Sequence, residues 1–329
     1  MSEALLQVRD LQVHFGQRKS LFGGPARVVR AVDGVSFDLI KGETLGIVGE
    51  SGCGKSTLCR ATLRLVEPTG GKVVWLGQDF SKLDGEKLRL ERRNMQIIFQ
   101  DPLASLDPRM TVAQIVERPL LNFSTTESAE QRRARVAEAV TLVGGHHHWL
   151  DRYPHEFSGG QCQRIGIARA LILKPQLLVC DEPVSALDVS VQAQIINLLM
   201  ELQGRLGLSY LFISHNLSVV RHISHRVMVL YLGKVMEIAD RDDFYRRPLH
   251  PYSQALISAV PLPDPKLERA KPRVRLTGDL PSPANPPSGC RFRTRCPKAT
   301  EICAAEEPML KNYGAGHTAA CHHIDIPAL

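Results

Sequence analysis

Between an apolar run, TLGIVG, and a segment suited to start a helix, KST, the chain reads GESGCGKS at residues 49–56. Glycines at this spacing let backbone N–H groups close around an anion, and a helix N-terminus adds its partial positive charge. Strand, glycine loop and helix in this order demand an α/β arrangement with the loop at a strand's C-terminal end. The pattern predicts a nucleotide phosphate site. Gly49, Glu50, Ser51, Gly52, Cys53 and Gly54 form the cradle, and Lys55 reaches the β- and γ-phosphates. Ser56 ligates Mg²⁺, with Thr57 in the opening turn of the helix. A glycine turn that binds nothing is the alternative, but every fixed position is matched in context. Cys53 reads as a small filler, although a thiol near a helix N-terminus can have a lowered pKa.

A second acidic feature follows at residues 177–182, LLVCDE, an apolar strand that delivers two carboxylates at its C-terminal end. Such a pair often caps a helix. With the phosphate loop upstream, Asp181 is expected to hold Mg²⁺ and Glu182 to polarise an attacking water.

Apolar, β-rich runs at residues 11–15, 45–49, 177–180, 211–214 and 227–230 alternate with helical stretches, which argues α/β with a mostly buried sheet. From residue 101 to 165 the strand signal disappears, and Pro102, Pro108, Pro119 and Pro154 punctuate amphipathic stretches such as 127–142. This predicts a helical insertion. Beyond residue 250 the composition turns proline-rich, which marks 251–329 as a small C-terminal piece. The run His146, His147, His148 reads as a solvated loop, since three adjacent imidazoles converge poorly on one ion.

No stretch approaches the ~18 apolar residues of a spanning helix. Glu3 and Asp10 stand where a signal peptide needs a basic start and an apolar run, so a soluble, cytoplasmic chain is expected. The net charge of +7 is spread without long blocks and decides nothing by itself. Eight cysteines in 329 residues are too few for a disulfide scaffold and read as thiols or metal ligands.

Residues 157–171 read FSGGQCQRIGIARAL, in which Ser158, Gly159, Gly160 and Gln161 make a short glycine turn opening a helix. This resembles the signature motif of ATP-binding cassette (ABC) proteins, usually LSGGQ followed by QR. The resemblance implies an ABC-type nucleotide-binding domain, with a RecA-like core, an antiparallel β subdomain and a helical subdomain. On this chain it assigns the core to 1–100 and 166–250, the helical subdomain to 101–165 and the extension to 251–329. It places the signature turn against the ATP of a partner subunit. Phe15 matches the aromatic residue that stacks on adenine, although core packing is the plain alternative. Gln100 in IIFQD matches the glutamine that contacts Mg²⁺ and the attacking water. Asp188, in SALD, matches a dimer contact, and His215 after LFIS a switch histidine at the γ-phosphate. Phe157 and Asn216 depart from the commoner leucine and aspartate, but neither position supplies chemistry.

Taken with VGESGCGKST, MQIIFQDPLASLDPRMT and CDEPVSALDVSVQAQIINLL, the chain is similar over nearly its whole length to F-type ATPase subunits of bacterial oligopeptide and dipeptide importers. His250, Pro251 and Tyr252, and the tail LPSPANPPSGCRFRTRCP, match that subfamily's extension. The resemblance implies a second ABC ATPase subunit as heterodimer partner, two transmembrane permease subunits, a peptide-binding protein met indirectly, and a peripheral place on the cytoplasmic face of the inner membrane. Related importers of nickel, glutathione or antimicrobial peptides use similar ATPases. A soluble cassette acting on nucleic acid is opposed by the single cassette and the lack of inserted coiled coils, and a non-catalytic regulatory cassette by the presence of Glu182 and His215.

Cys290, Cys296, Cys303 and Cys321 are spaced C-x5-C-x6-C-x17-C. Four thiolates suit zinc or an iron–sulfur cluster, and unligated thiols are the third possibility. Similar importer tails carry a [4Fe–4S] cluster, which the resemblance extends to this chain.

Overall fold

The structure, a computed structural model, describes residues 4–16, 28–123, 126–261, 264–271, 274 and 276–324. The chain divides into two compact units, one built of Ile40–Thr44 and Lys82–Ser214, the other of Ala4–Leu39, Leu45–Ser81 and the chain from His215 onward.

In the first unit the strands Met95–Ile98, Leu177–Asp181 and Ser209–Ile213 run parallel, Ile98 opposite Cys180 and Asp181 opposite Ile213. The last two are buried along their whole length. This is why they read as unbroken runs rather than as an alternation. The two hydroxyls that open Ser209–Ile213 are satisfied: Ser209 Oγ accepts from Gly42 N at 2.8 Å, and Tyr210 Oη donates to Leu199 O at 2.8 Å. Tyr210 thereby ties the strand to the helix Val189–Leu206.

Three helices of this unit share one entry device. Val112–Asn122, Ala129–Leu142 and Gly159–Leu171 each begin after a Thr or Ser whose hydroxyl accepts the amide of a Gln three residues on. The Gln side chain returns to accept the cap residue's own amide, so two orphan donors are satisfied reciprocally. The pairs are Thr111 with Gln114, Ser128 with Gln131 and Ser158 with Gln161. SGGQ is therefore a helix start signal as well as a motif. Among the described residues between 101 and 165 no strand occurs, as the loss of alternation there predicts. His146, His147 and His148 are all exposed, which fits the solvated loop.

The second unit contains a four-stranded sheet in the order Val28–Ile40, Ala4–Gly16, Gly70–Trp75, Gln78–Asp79. Ala4–Gly16 and Gly70–Trp75 are antiparallel, with Leu6 opposite Trp75 and Val8 opposite Val73, all four buried. The fully buried strand Thr44–Val48 runs parallel to Arg226–Tyr231, Val48 opposite Val229. Arg226–Tyr231 pairs antiparallel with Lys234–Asp240, which in turn pairs with the tail strand Thr318–Ala319.

The tail is fastened by a buried carboxylate. Glu237, with no exposure, accepts from Leu249 N at 2.9 Å and His250 N at 2.8 Å, and its Oε1 lies 2.7 Å from His317 Nε2. A buried acid with three such partners is tolerated where a bare one is not. His250 also caps the helix Pro251–Ser258, its Nδ1 accepting from Tyr252 N at 3.0 Å. Burial holds the His250 imidazole down to about 4, against 6.5 for a free histidine, so the fold favours the neutral ring. The stabilisation is present above pH 6.5 and is lost as pH falls toward 4, because only the unfolded chain takes up the proton in that window. We expect urea stability to fall in that window with a contribution approaching about 1.4 kcal/mol per pH unit. In His250→Asn, which keeps a capping acceptor, that component should vanish from a series of denaturation midpoints against pH.

Candidate active site

The loop after Thr44–Val48 is shaped by three glycines in left-handed or positive-φ conformations: Gly49 at φ 151°, Gly52 at 77° and Gly54 at 104°. Space is as restrictive as φ. A Cβ on Gly49 would stand 2.1 Å from Leu230 O, and one on Gly54 2.0 Å from Ala31 O. Both neighbours are backbone and cannot swing away. Gly233 N donates to Cys53 O at 2.8 Å, which braces the loop from the turn before Lys234–Asp240.

The helix Lys55–Thr62 begins at the end of this loop. Lys55 is only 5% exposed; its ammonium donates to Gly49 O at 2.8 Å and Glu50 O at 3.0 Å. Among the described residues no carboxylate pairs with it. A buried cation held by two carbonyls and a thiol sulfur, with no carboxylate beside it among the described residues, is suited to receive an anion. Cys53 is buried, with its Sγ 3.8 Å from Lys55 Nζ. Burial raises its pKa against the opposing charge of Lys55, so the filler reading holds and a reactive thiolate does not. Ser51 and Gly52 are exposed at the loop's surface, and Ser56 and Thr57 half-buried.

In the same unit, Phe15 lies at the end of Ala4–Gly16 with 47% exposure, so it is not a core residue. His215 is exposed after Ser209–Ile213. Asn216 caps the helix Leu217–Ile223, accepting from Ser218 N at 3.0 Å and Val219 N at 3.4 Å. Asparagine and aspartate serve equally there, which accounts for that departure.

In the first unit, Asp181 ends Leu177–Asp181 at 1% exposure, and the half-buried Glu182 follows at φ 50°. A non-glycine residue at such a φ is strained, and this one turns a carboxylate out of a buried strand end. Gln100 Nε2 donates to Glu182 Oε2 at 3.0 Å, so two residues 82 apart in sequence meet. At the signature turn, Gly160 is packed so that a Cβ would lie 2.4 Å from Val191 Cγ1. Gln161 is engaged in the capping box, and the amides of Gly159 and Gly160 occupy the first two helical positions. Phe157 packs edge-on to Trp149, centroids 5.2 Å apart, beneath the Arg152 guanidinium at 4.7 Å. An aromatic ring fits there where leucine is commoner. Asp188 is exposed before Val189–Leu206 and makes no capping hydrogen bond.

The tail cysteines do not meet the expectation of a cluster. Cys290 and Cys303 are buried, Cys296 and Cys321 half-buried, and none of the four is in a disulfide. Burial first, then the charges of Cys303, Cys321 and Cys296, push Cys290 up to about 11; burial also raises Cys296 and Cys321. Among the described residues no three His, Cys, Asp or Glu side chains are placed to hold a metal ion. The [4Fe–4S] cluster expected on Cys290, Cys296, Cys303 and Cys321 is thus without support in this geometry.

Two contacts escaped sequence reading. Arg295 Nη1 donates to Glu50 Oε2 at 2.6 Å, and Tyr252 Oη accepts from Glu50 N at 2.9 Å. Their separations, 245 and 202 residues, leave no local signal, although the arginines of CRFRTRC were visible.

The sequence model of the ABC transporter family matches residues 32–185, and that of the oligopeptide/dipeptide transporter C-terminal region matches 236–303. The chain is 54% identical over 325 residues to the oligopeptide transport ATP-binding protein OppF of Salmonella typhimurium, covering 98% of this chain and 97% of that one. It is 54% identical over 321 residues to AppF of Bacillus subtilis, covering 97% of each, and 51% identical over 325 to the dipeptide transport ATP-binding protein DppF of Escherichia coli, covering 99% and 96%. Among solved structures, the ATP-binding cassette MJ0796 bound to ADP and Pi superposes with a TM-score of 0.64 at 28% identity, over 72% of this chain and 98% of that one. The ABC transporter component cbiO1 of Clostridium perfringens gives 0.64 at 26%, over 74% and 92%. The fold and site are those of an ABC ATPase. Within that class, the chain belongs to the family of oligopeptide and dipeptide transport ATP-binding proteins.

The loop geometry predicts that Gly54→Ala, forced to φ 104° against Ala31 O, costs at least about 2 kcal/mol and weakens ATP binding more than tenfold. Thermal melting and nucleotide titration of the full-length variant measure the two effects.

Proposed function

We propose that this chain is the ATP-hydrolysing subunit of a peptide importer, working beneath transmembrane permease subunits in a pair with a second ABC ATPase. The observation that carries the reading is Lys55, a buried ammonium that donates to Gly49 O, Glu50 O and Cys53 Sγ and meets no carboxylate among the described residues, at the end of a loop whose glycines take positive φ. ATP supplies the missing anion. Lys55 takes the β- and γ-phosphates, Gly49, Glu50, Ser51, Gly52, Cys53 and Gly54 supply the cradle, and Phe15 offers its exposed ring to adenine.

Mg²⁺, when bound, neutralises charge on the phosphates; Ser56, Asp181 and Gln100 are its ligands, directly or through water. Glu182, oriented by Gln100, accepts the proton of the attacking water, and His215 touches the γ-phosphate. Ser158, Gly159, Gly160 and Gln161 serve the partner's nucleotide, with Asp188 at the dimer contact. This assigns the ATPase core to residues 1–100 and 166–250, the helical subdomain to 101–165 and the extension to 251–329. No described helix is long and apolar enough to cross a membrane. Peripheral attachment at the cytoplasmic face of the inner membrane, through the permease subunits, is the matching location. The four tail thiols act in packing, and a preparation without stoichiometric iron or sulfide agrees with that.

Glu182→Gln in the assembled transporter tests the assignment. ATP hydrolysis should fall by roughly 10²–10⁴ while ATP binding persists, because the amide keeps the shape and loses the base. Undiminished turnover would remove Glu182 from the mechanism.

A further inference from the structure

The segment between Cys290 and Cys296 carries Arg291, Arg293 and Arg295, and two of them turn inward onto the nucleotide-binding unit. The segment is rigid. Arg293 N donates to Cys290 O at 3.1 Å, Arg295 N to Phe292 O at 3.0 Å, and the fully buried Phe292 ring lies 5.3 Å from both Tyr231 and Tyr252. Arg291, 5% exposed, donates to Leu232 O and to Asp33 Oδ2. Asp33 Oδ1 in turn lies 2.8 Å from Nε2 of His14, the residue before Phe15. Arg295, 11% exposed, holds the Glu50 carboxylate, while Tyr252 holds the Glu50 amide.

Glu50 is an acid inside a loop that must receive a polyanion. Left bare, its carboxylate would repel phosphate; paired, it is neutralised and pinned. We propose that Arg295 is a positioning residue for ATP binding, and that the tail segment 290–296 thereby sets the affinity of the phosphate loop. The tail is then part of the nucleotide site in function, acting through Glu50 without touching the nucleotide.

This rests on ATP binding at residues 49–56, and the test separates the two. The full-length chain is titrated calorimetrically with ATP and Mg²⁺ as wild type, Arg295→Gln, Arg295→Lys and Arg295→Gln/Glu50→Gln. Melting without nucleotide reports the fold. Arg295→Gln should bind about tenfold more weakly, a difference of about 1.4 kcal/mol, and Arg295→Lys within about threefold of wild type. The double variant, with the exposed charge removed, should return to within about threefold as well; a merely structural arginine would not be rescued in this way. Equal affinity of Arg295→Gln and wild type, or a double variant as weak as Arg295→Gln, overturns the inference. Should Arg295→Gln fail to fold, Arg295→Lys against Arg295→Lys/Glu50→Gln decides: a loss of affinity that Glu50→Gln does not alter overturns it. Wild type that binds no ATP would sink the site reading instead.

Discussion

A single ammonium organises this molecule. Burying Lys55 is unfavourable unless its charge is answered, and among the described residues the chain supplies two carbonyls, Gly49 O and Glu50 O, and the Cys53 sulfur, but no carboxylate. The rest of the loop follows from keeping that cation available. Gly49 and Gly54 take conformations and close approaches that no side chain allows, against Leu230 O and Ala31 O. The fully buried strand Thr44–Val48 fixes where the loop begins, and the helix Lys55–Thr62 where it ends. The fold accepts a buried cation with only neutral partners because the phosphates of ATP answer its charge.

The second unit extends this logic outward through polar contacts to buried or half-buried acids. Glu50 is answered by Arg295, Asp33 by Arg291 and His14, and Glu237 by His317 and two backbone amides. Each acid would be costly alone, and each is met by the tail or by a residue the tail packs upon. The proline-rich end of the chain is held by these pairs, by Phe292 and by the short pairing of Thr318–Ala319 with Lys234–Asp240.

The chemistry was legible wherever it is local. GESGCGKS, LLVCDE and FSGGQ each hold their physical reason within about one turn of chain, and the buried strands announced themselves as unbroken apolar runs. Gly70–Trp75 was harder to see, since GGKVVW begins with two glycines and owes its strand to Ala4–Gly16, far upstream. The left-handed φ of Glu182 has no compositional sign either. The arginine contacts to Glu50 and Asp33 depend on tertiary packing and left only an unexplained run of charge. The tail cysteines were read less well than Cys53: among the described residues, spacing that suits four ligands does not bring sulfurs into ligating geometry, while the filler reading of Cys53 holds because burial governs it.

The most direct test of the central constraint is the melting temperature of the full-length Lys55→Met variant beside wild type, with and without ATP and Mg²⁺. Without nucleotide the variant should melt at or above wild type, because a methionine of similar length removes a buried cation that no carboxylate neutralises. At a hundredfold excess over Kd, ATP should stabilise wild type by about 2.7 kcal/mol and leave the variant unmoved. A variant that melts below wild type without nucleotide, yet gains the same stabilisation from ATP, would contradict the account.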